Sequence, residues 1–153
     1  MVAVHSQSGL QGYNMVRVLK EDSKLNLLKG FIDIEGMCPS LAQVGLVAAD
    51  FDNVPLLVVK GDYRPIPDLS KPCFDEVNAR RAAGFGTANA TYIALDDPSY
   101  KGQFNGVTHM MMDGTNNLQV MDQILNWANQ YIDNPPPKGN QKKVCNSPPP
   151  PAT

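Results

Sequence analysis

Short apolar runs alternate with longer amphipathic stretches along the first 134 residues of the chain. The apolar runs are those of buried strands and cover residues 2–5, 30–34, 55–59 and 91–95. Apolar positions recur at helical spacing over residues 10–20, 74–83 and 116–133, and residues 40–49 are a candidate short helix. Strands that alternate with helices predict an α/β fold with about four parallel strands and flanking helices.

Two of the predicted helices have an apolar side that should face the sheet. The first helix has Leu10, Tyr13, Met15, Val16 and Leu19 roughly on one side. The last has a stripe of Leu118, Met121, Leu125, Ala128 and Ile132, with Trp127 as an anchor.

Polar residues fit for chemistry follow the predicted strands. Ser6, Glu35 and Asp62 come at the ends of the first three strands, and His109 lies in a long loop after the fourth. In parallel sheets the reactive groups gather at the carboxyl ends of the strands. Long loops inside compact domains are usually functional. The sequence therefore predicts a site at this edge of the sheet.

The segment His-Ser-Gln-Ser-Gly between the first strand and the first helix has the form of an α/β-hydrolase nucleophile elbow. So tight a turn needs small residues two positions before and after the nucleophile. Ser8 meets this demand for Ser6, although Val4 is larger than usual, whereas Ser8 as nucleophile would have Leu10 two residues on. Ser6 is the predicted nucleophile, and the backbone N–H of Gln7 is a predicted oxyanion donor.

The chain has two histidines. His5 precedes the nucleophile, so its side chain should point away from that of Ser6, which leaves His109 as the predicted general base. Two carboxylates could orient the imidazole. Asp62 is at or near the common position of the acid in this superfamily, and Glu35 is at a rarer one. The residues alone leave both open.

Other features limit the function classes. A formal net charge of -2 gives no electrostatic footprint for nucleic acid or an anionic membrane, and no apolar run approaches the roughly 20 residues of a membrane span. No signal peptide is visible. Three scattered cysteines are too few for a disulfide framework or a zinc site, and no metal or organic cofactor is implied.

Two further segments have alternative interpretations. Met110 and Met111 begin the run of methionines that follows His109. This run is expected to line an apolar substrate pocket, or else to be core under the last helix. Residues 135–153 hold two proline runs around lysines and predict a disordered, polyproline-like tail, so that the folded domain is residues 1–134. Such a tail can bind an SH3- or WW-type partner, but a solvated tail is the simpler interpretation.

Residues 1–133 resemble a small group of exported bacterial esterases of the α/β-hydrolase superfamily. The likeness rests on the elbow, on Ile-Glu-Gly-Met-Cys-Pro at 34–39, on the strand end at 58–62, and on His-Met-Met-Met and Asn-Asn-Leu-Gln-Val within 108–120. The group has Ile-Glu-Pro-Gly-Glu-Cys-Pro where this chain is one residue shorter. The resemblance implies that Glu35 is the acid, that Cys38 and Cys73 are bridged, and that the protein is secreted.

The expected function is hydrolysis of a carboxylic ester through an acyl-enzyme, with Ser6, Glu35 and His109 as the triad. In the superfamily the elbow follows about the fifth of eight strands, so this chain corresponds to the C-terminal half of the fold. We therefore expect weak or no activity alone, with an N-terminal half or another chain as partner. The alternative is a non-catalytic half-hydrolase remnant that acts as an interaction protein.

Overall fold

The computed structural model describes residues 1–62 and 68–134, so the predicted proline-rich tail lies outside the described residues. The elements are β1 (Val2–His5), α1 (Ser8–Glu21), β2 (Phe31–Ile34), β3 (Leu56–Lys60), α2 (Lys71–Ala82), β4 (Ala90–Ala94) and α3 (Asn117–Ala128), which a π-helical turn, Asn129–Asp133, extends. None of the helices in this part of the chain is long and apolar enough to cross a membrane.

The four strands form one sheet in the order β1-β2-β3-β4, and every neighbouring pair is parallel. One rung of the ladder joins Val2, Phe31, Leu56 and Ala90. The predicted α/β fold with four parallel strands is confirmed. Because all strands run the same way, the residues that follow them emerge at a single edge of the sheet.

Helices cover both faces of the sheet. Successive strand residues point to opposite faces, and Phe31 packs in a core with α1 and α2 while its neighbour Ile32 packs in a second core with α3. All five residues of β3 are buried, as expected for a strand covered on both sides.

The predicted apolar stripe of the last helix was wrong at Leu118, Met121 and Leu125, whereas Ala128 and the anchor Trp127 are buried as predicted. The buried residues of α3 are Val120, Ile124, Trp127 and Ala128. Leu118, Met121 and Leu125 are instead 73%, 42% and 56% exposed. Both sets recur every three or four residues, so helical spacing alone does not tell which of them meets the sheet.

The first helix also differs from its prediction. Its buried residues are Gly9, Gly12, Tyr13 and Val16. Leu10 and Met15, which were expected on the core side, are more than a third exposed. The glycines let α1 approach the sheet closely, and Tyr13 and Val16, which were predicted on the core side, are fully buried beside them. Residues 40–49 form short 3₁₀ turns, Ala42–Val44 and Ala48–Phe51, rather than one helix.

A disulfide joins Cys38 to Cys73, with 5.8 Å between their Cα atoms. Cys38 lies in the loop after β2, and Cys73 lies in the first turn of α2. Both residues are fully buried. The bridge implied by the resemblance is present, and it fastens the loop that follows Glu35 to a helix.

Candidate active site

Ser6 occupies the sharp turn between β1 and α1. Its φ is 57°, in the left-handed region that non-glycine residues rarely adopt. Ser8, the other serine of the segment, donates its hydroxyl to the His5 carbonyl at 2.6 Å and accepts the His5 N–H at 2.9 Å. The Ser8 hydroxyl thus bonds to the backbone of the turn, and the turn presents Ser6 at the carboxyl edge of the sheet.

Glycines on α1 make room for this turn. A Cβ at Gly9 would lie 2.4 Å from the backbone nitrogen of Met37, so only glycine fits where the helix crosses the loop after β2. A Cβ at Gly12 would lie 2.6 Å from Cγ1 of Val4. Val4, which is larger than an elbow usually allows, therefore finds its space above a glycine of the following helix.

His109 lies between Ser6 and Glu35. Its Nε2 is 2.6 Å from Ser6 Oγ, and its Nδ1 is 3.1 Å from Glu35 Oε2. An ionised carboxylate only accepts hydrogen bonds, so the proton of the neutral ring is assigned to Nδ1 and Nε2 accepts from the serine hydroxyl. The His109 side chain is 42% exposed and that of Glu35 is 18% exposed, which leaves the histidine open to a reactant.

Glu35 is held on both carboxylate oxygens. Oε2 accepts from His109, and Oε1 accepts the backbone N–H of Gly61 at the end of β3. A Cβ at Gly61 would lie 3.1 Å from Oε1. Glu35 has a φ of 50°, so like Ser6 it is a non-glycine residue in the left-handed region.

Asp62, the alternative acid, has other partners. Its Oδ2 accepts the Gly106 N–H at 2.7 Å, and its own N–H donates to the Val107 carbonyl at 2.9 Å. Both contacts fasten the loop that leads to His109. The structure therefore places Glu35 beside the imidazole and Asp62 at the base of the histidine loop.

His5 has a contact that the sequence did not reveal. Its side chain lies within 2.7 Å of the His109 backbone carbonyl, to which Nε2–H donates, and the two rings have centroids 4.9 Å apart. The His5 ring thus lies beside the imidazole of the candidate base, and its hydrogen bond ties the histidine loop to β1. Because its partner is a backbone carbonyl 104 residues away, no residue type in the sequence signals this bond.

The methionines after His109 are divided between core and surface. Met111 is 2% exposed and packs in the core with α3, which matches the second interpretation of the run. Met110 is 49% exposed and does not line the shallow apolar notch beside Ile34, to which Met111 and Met112 contribute. Gln7, whose N–H is the predicted oxyanion donor, is exposed at the N-terminal cap of α1.

The arrangement can support nucleophilic chemistry. A serine hydroxyl that donates to an imidazole loses its proton easily during attack on a carbonyl, and a carboxylate on the far nitrogen stabilises the imidazolium that forms. Within residues 1–62 and 68–134, no group of three His, Cys, Asp or Glu side chains is placed to hold a metal ion.

Comparison of the chain with protein-family models, with curated proteins and with solved structures gave no match. The α/β sheet and the contact of Ser6, His109 and Glu35 are thus properties of this structure, without support from a relative.

Proposed function

We propose that the chain carries the catalytic triad of a serine-dependent carboxylic ester hydrolase with an α/β-hydrolase fold. The observation that carries the proposal is the pair of contacts of His109, 2.6 Å to Ser6 Oγ and 3.1 Å to Glu35 Oε2. The left-handed backbone at Ser6, between a strand and a helix, supports it. So does the chain order of serine, acid and histidine.

In the proposed reaction, Ser6 Oγ attacks the carbonyl carbon of an ester while His109 Nε2 takes the hydroxyl proton. Collapse of the tetrahedral intermediate breaks the bond to the alcohol, which leaves with that proton. Water then attacks the acyl-serine, with His109 again as base, and the carboxylic acid is released. Glu35 keeps the imidazole in the reactive tautomer and stabilises its positive charge in both steps.

The oxyanion of each intermediate needs hydrogen-bond donors. The backbone N–H of Gln7, next to the nucleophile and at the positive end of α1, is the donor that this chain supplies. In α/β-hydrolases a second N–H comes from a loop beside an earlier strand. Loss of one such donor lowers the rate on the order of 100- to 1000-fold, so we expect slow turnover by this chain alone.

The second donor is proposed to come from a partner polypeptide that docks beside β1, either an N-terminal half of the same fold or another chain. Within the described residues β1 pairs with β2 alone, so one of its edges is free. Apolar side chains are exposed on both helical layers, including Val18 on α1 and Leu118 and Leu125 on α3. Large exposed apolar areas commonly mark interaction sites.

The same surface supports a second candidate function, a non-catalytic interaction protein derived from a hydrolase. The two functions are distinguished by a fluorophosphonate probe, which forms a covalent bond with an activated serine. We expect labelling of the wild type and of Ser8→Ala, and none of Ser6→Ala. Absence of labelling in folded, monodisperse wild-type protein would favour the non-catalytic function.

The choice of acid has its own test. Glu35→Gln keeps the shape of the side chain but removes the charge that fixes the tautomer of His109, and the rate should fall on the order of 10⁴-fold. Asp62→Asn should have a smaller effect, through the histidine loop. If only Asp62→Asn abolishes hydrolysis, the assignment of Glu35 is wrong.

A further inference from the structure

Asp33 is a carboxyl group buried in the sheet. It lies in β2 between Val4 and Val58 on the neighbouring strands, and it is fully buried. Within residues 1–62 and 68–134 neither of its carboxylate oxygens has a hydrogen bond of normal geometry, although the Tyr13 hydroxyl and the Gly36 backbone lie close enough to affect its charge. The buried polar side chains of Lys60 and Ser70 differ in this respect, because Lys60 donates to Asp96 and Ser70 donates to Asp68, whereas the buried Tyr13 hydroxyl also lacks a bond of normal geometry.

The Asp33 carboxyl lies directly beneath the turn that carries Glu35. A Cβ at Gly36 would lie 1.8 Å from Asp33 Oδ1, so the carboxyl occupies the space that any other side chain at position 36 would need. Gly36 in turn supports α1, since a Cβ at Gly9 would lie 2.9 Å from the Gly36 Cα. Asp33, Gly36 and Gly9 are therefore stacked under the two turns that present Ser6 and Glu35.

The groups around Asp33 do not favour its ionised form. Burial and, less strongly, the negative charges of Asp68 and Glu35 raise its pKa, to about 7 when all of its neighbours act together. The Tyr13 hydroxyl on α1 and the backbone of Gly36 act in the opposite direction, but burial outweighs them. Burial also raises the pKa of Tyr13, so that phenol stays neutral. The facing residues of β1 and β3, Val4 and Val58, are apolar.

We propose that Asp33 is a positioning residue of the candidate site, which keeps the Ser6 and Glu35 turns packed while it is a neutral acid and separates them when it ionises. An ionised carboxylate needs hydrogen bonds or water, and the backbone of Gly36 lies directly over this one. Water that enters there parts Gly36 from Gly9 and moves Glu35 away from His109. The inference rests on the proposed function, because its effect on reactivity requires the triad.

The test is the rate constant of fluorophosphonate labelling from acid to alkaline pH, in the wild type and in Asp33→Asn. The amide of asparagine has the shape of the neutral acid and does not ionise. We expect the rate constant of wild-type labelling to fall about tenfold for each pH unit above 7, because the fraction of molecules with a neutral Asp33 falls in that proportion. This alkaline decline should be absent in Asp33→Asn. The control is Asp75→Asn, which removes an exposed carboxylate on α2 and should keep the wild-type profile.

An alkaline decline that is identical in the wild type and Asp33→Asn would overturn the proposal. A second measurement, NMR titration of the wild type, decides it if Asp33→Asn does not fold or if no protein is labelled. The Gly9 and Gly36 amide signals should shift with the same midpoint as the Asp33 carboxyl carbon. If Asp33 ionises and these signals stay still, Asp33 does not position the turns. Absence of labelling at every pH, together with coupled NMR shifts, would refute the proposed function but not the coupling.

Discussion

The Cys38–Cys73 bridge is expected to supply a large part of the free energy of unfolding. It closes a loop with a sequence separation of 35 residues, which includes β3 and the Gly61 N–H that fixes Glu35. By loop-closure entropy, a crosslink of this span destabilises the unfolded chain by about 4 kcal/mol. Since a whole domain is commonly stable by only about 5–15 kcal/mol, reduction should bring this one close to unfolding.

The perturbation is the double variant Cys38→Ala with Cys73→Ala, compared with the oxidised protein by urea unfolding. Cys145→Ser is present in both proteins so that no alternative pair can form. For an m-value of about 2 kcal/mol/M, we expect the midpoint to fall by about 2 M urea. Reductant should shift the bridged protein in the same direction and leave the double variant unchanged.

The same perturbation should reach the candidate site, because Cys38 is three residues after Glu35. Fluorophosphonate labelling should be slower in the double variant, even where it is still folded. A difference in unfolding free energy below about 1 kcal/mol would refute the loop-closure reasoning. It would show either that residual structure already restricts the segment between Cys38 and Cys73 in the unfolded chain, or that other contacts hold this segment in the folded chain.

Three further predictions concern single residues around the site. Because the pKa of Asp33 is raised from 3.8 to about 7 on folding, its contribution to stability is fully present below pH 3.8 and is lost as pH rises through 7. The free energy of unfolding should change by about 4 kcal/mol over this range. Urea unfolding of the wild type and Asp33→Asn at several pH values measures this change. His5→Phe keeps a ring beside His109 but loses the Nε2–H donor, so labelling should slow by about tenfold for a lost hydrogen bond of about 1.4 kcal/mol, while His5→Gln restores part of the rate. Gly61→Ala places a Cβ 2.8 Å from the Val107 carbonyl oxygen and 3.1 Å from Glu35 Oε1, so it should lower the rate constant of labelling by about 100-fold and also lower the midpoint of urea unfolding.

Each of these predictions has a contrary result. Equal pH dependence of unfolding in the wild type and Asp33→Asn would mean that the pKa of Asp33 is the same in the folded and unfolded states. Equal labelling of His5→Phe and the wild type would show that the histidine loop needs no tie to β1. Unchanged labelling of Gly61→Ala would place the reactive position of Glu35 elsewhere.

The fold could largely be predicted from the sequence because strand burial leaves a strong local pattern. The apolar run of β3 and the polar residues that follow the strands were sufficient to predict a parallel sheet with Ser6, Glu35 and His109 at one edge. Topology then brings them together, since parallel strands end on the same side. The residues alone left Glu35 and Asp62 open because both follow strands, the resemblance favoured Glu35, and in the structure it is Glu35 that contacts His109.

The errors came from contacts that have no local pattern. On α3, Leu118, Met121 and Leu125 were wrongly placed in the core because they have the same spacing as the residues that are buried, while Ala128 and Trp127 were correct. On α1, Tyr13 and Val16 were correct, but Gly9 and Gly12 were missed because they meet the sheet by close backbone approach, which leaves no pattern of large apolar side chains. Burial of Asp33 was unforeseen for a related reason, since an acid in a strand normally predicts an exposed position.

Under the proposed function, the left-handed backbone at Ser6 and Glu35 sets stability against reactivity. A non-glycine residue held in this region costs about 1–3 kcal/mol, and glycine would remove most of that strain. Ser6→Gly and Glu35→Gly are therefore substitutions that relax the backbone while they delete a reactive group. Any selection for thermal stability alone, in the laboratory or in a genome that no longer needs the reaction, would tend to replace these two residues with glycine. Glycine at these two positions in a related chain would be a sign of lost chemistry on a retained fold.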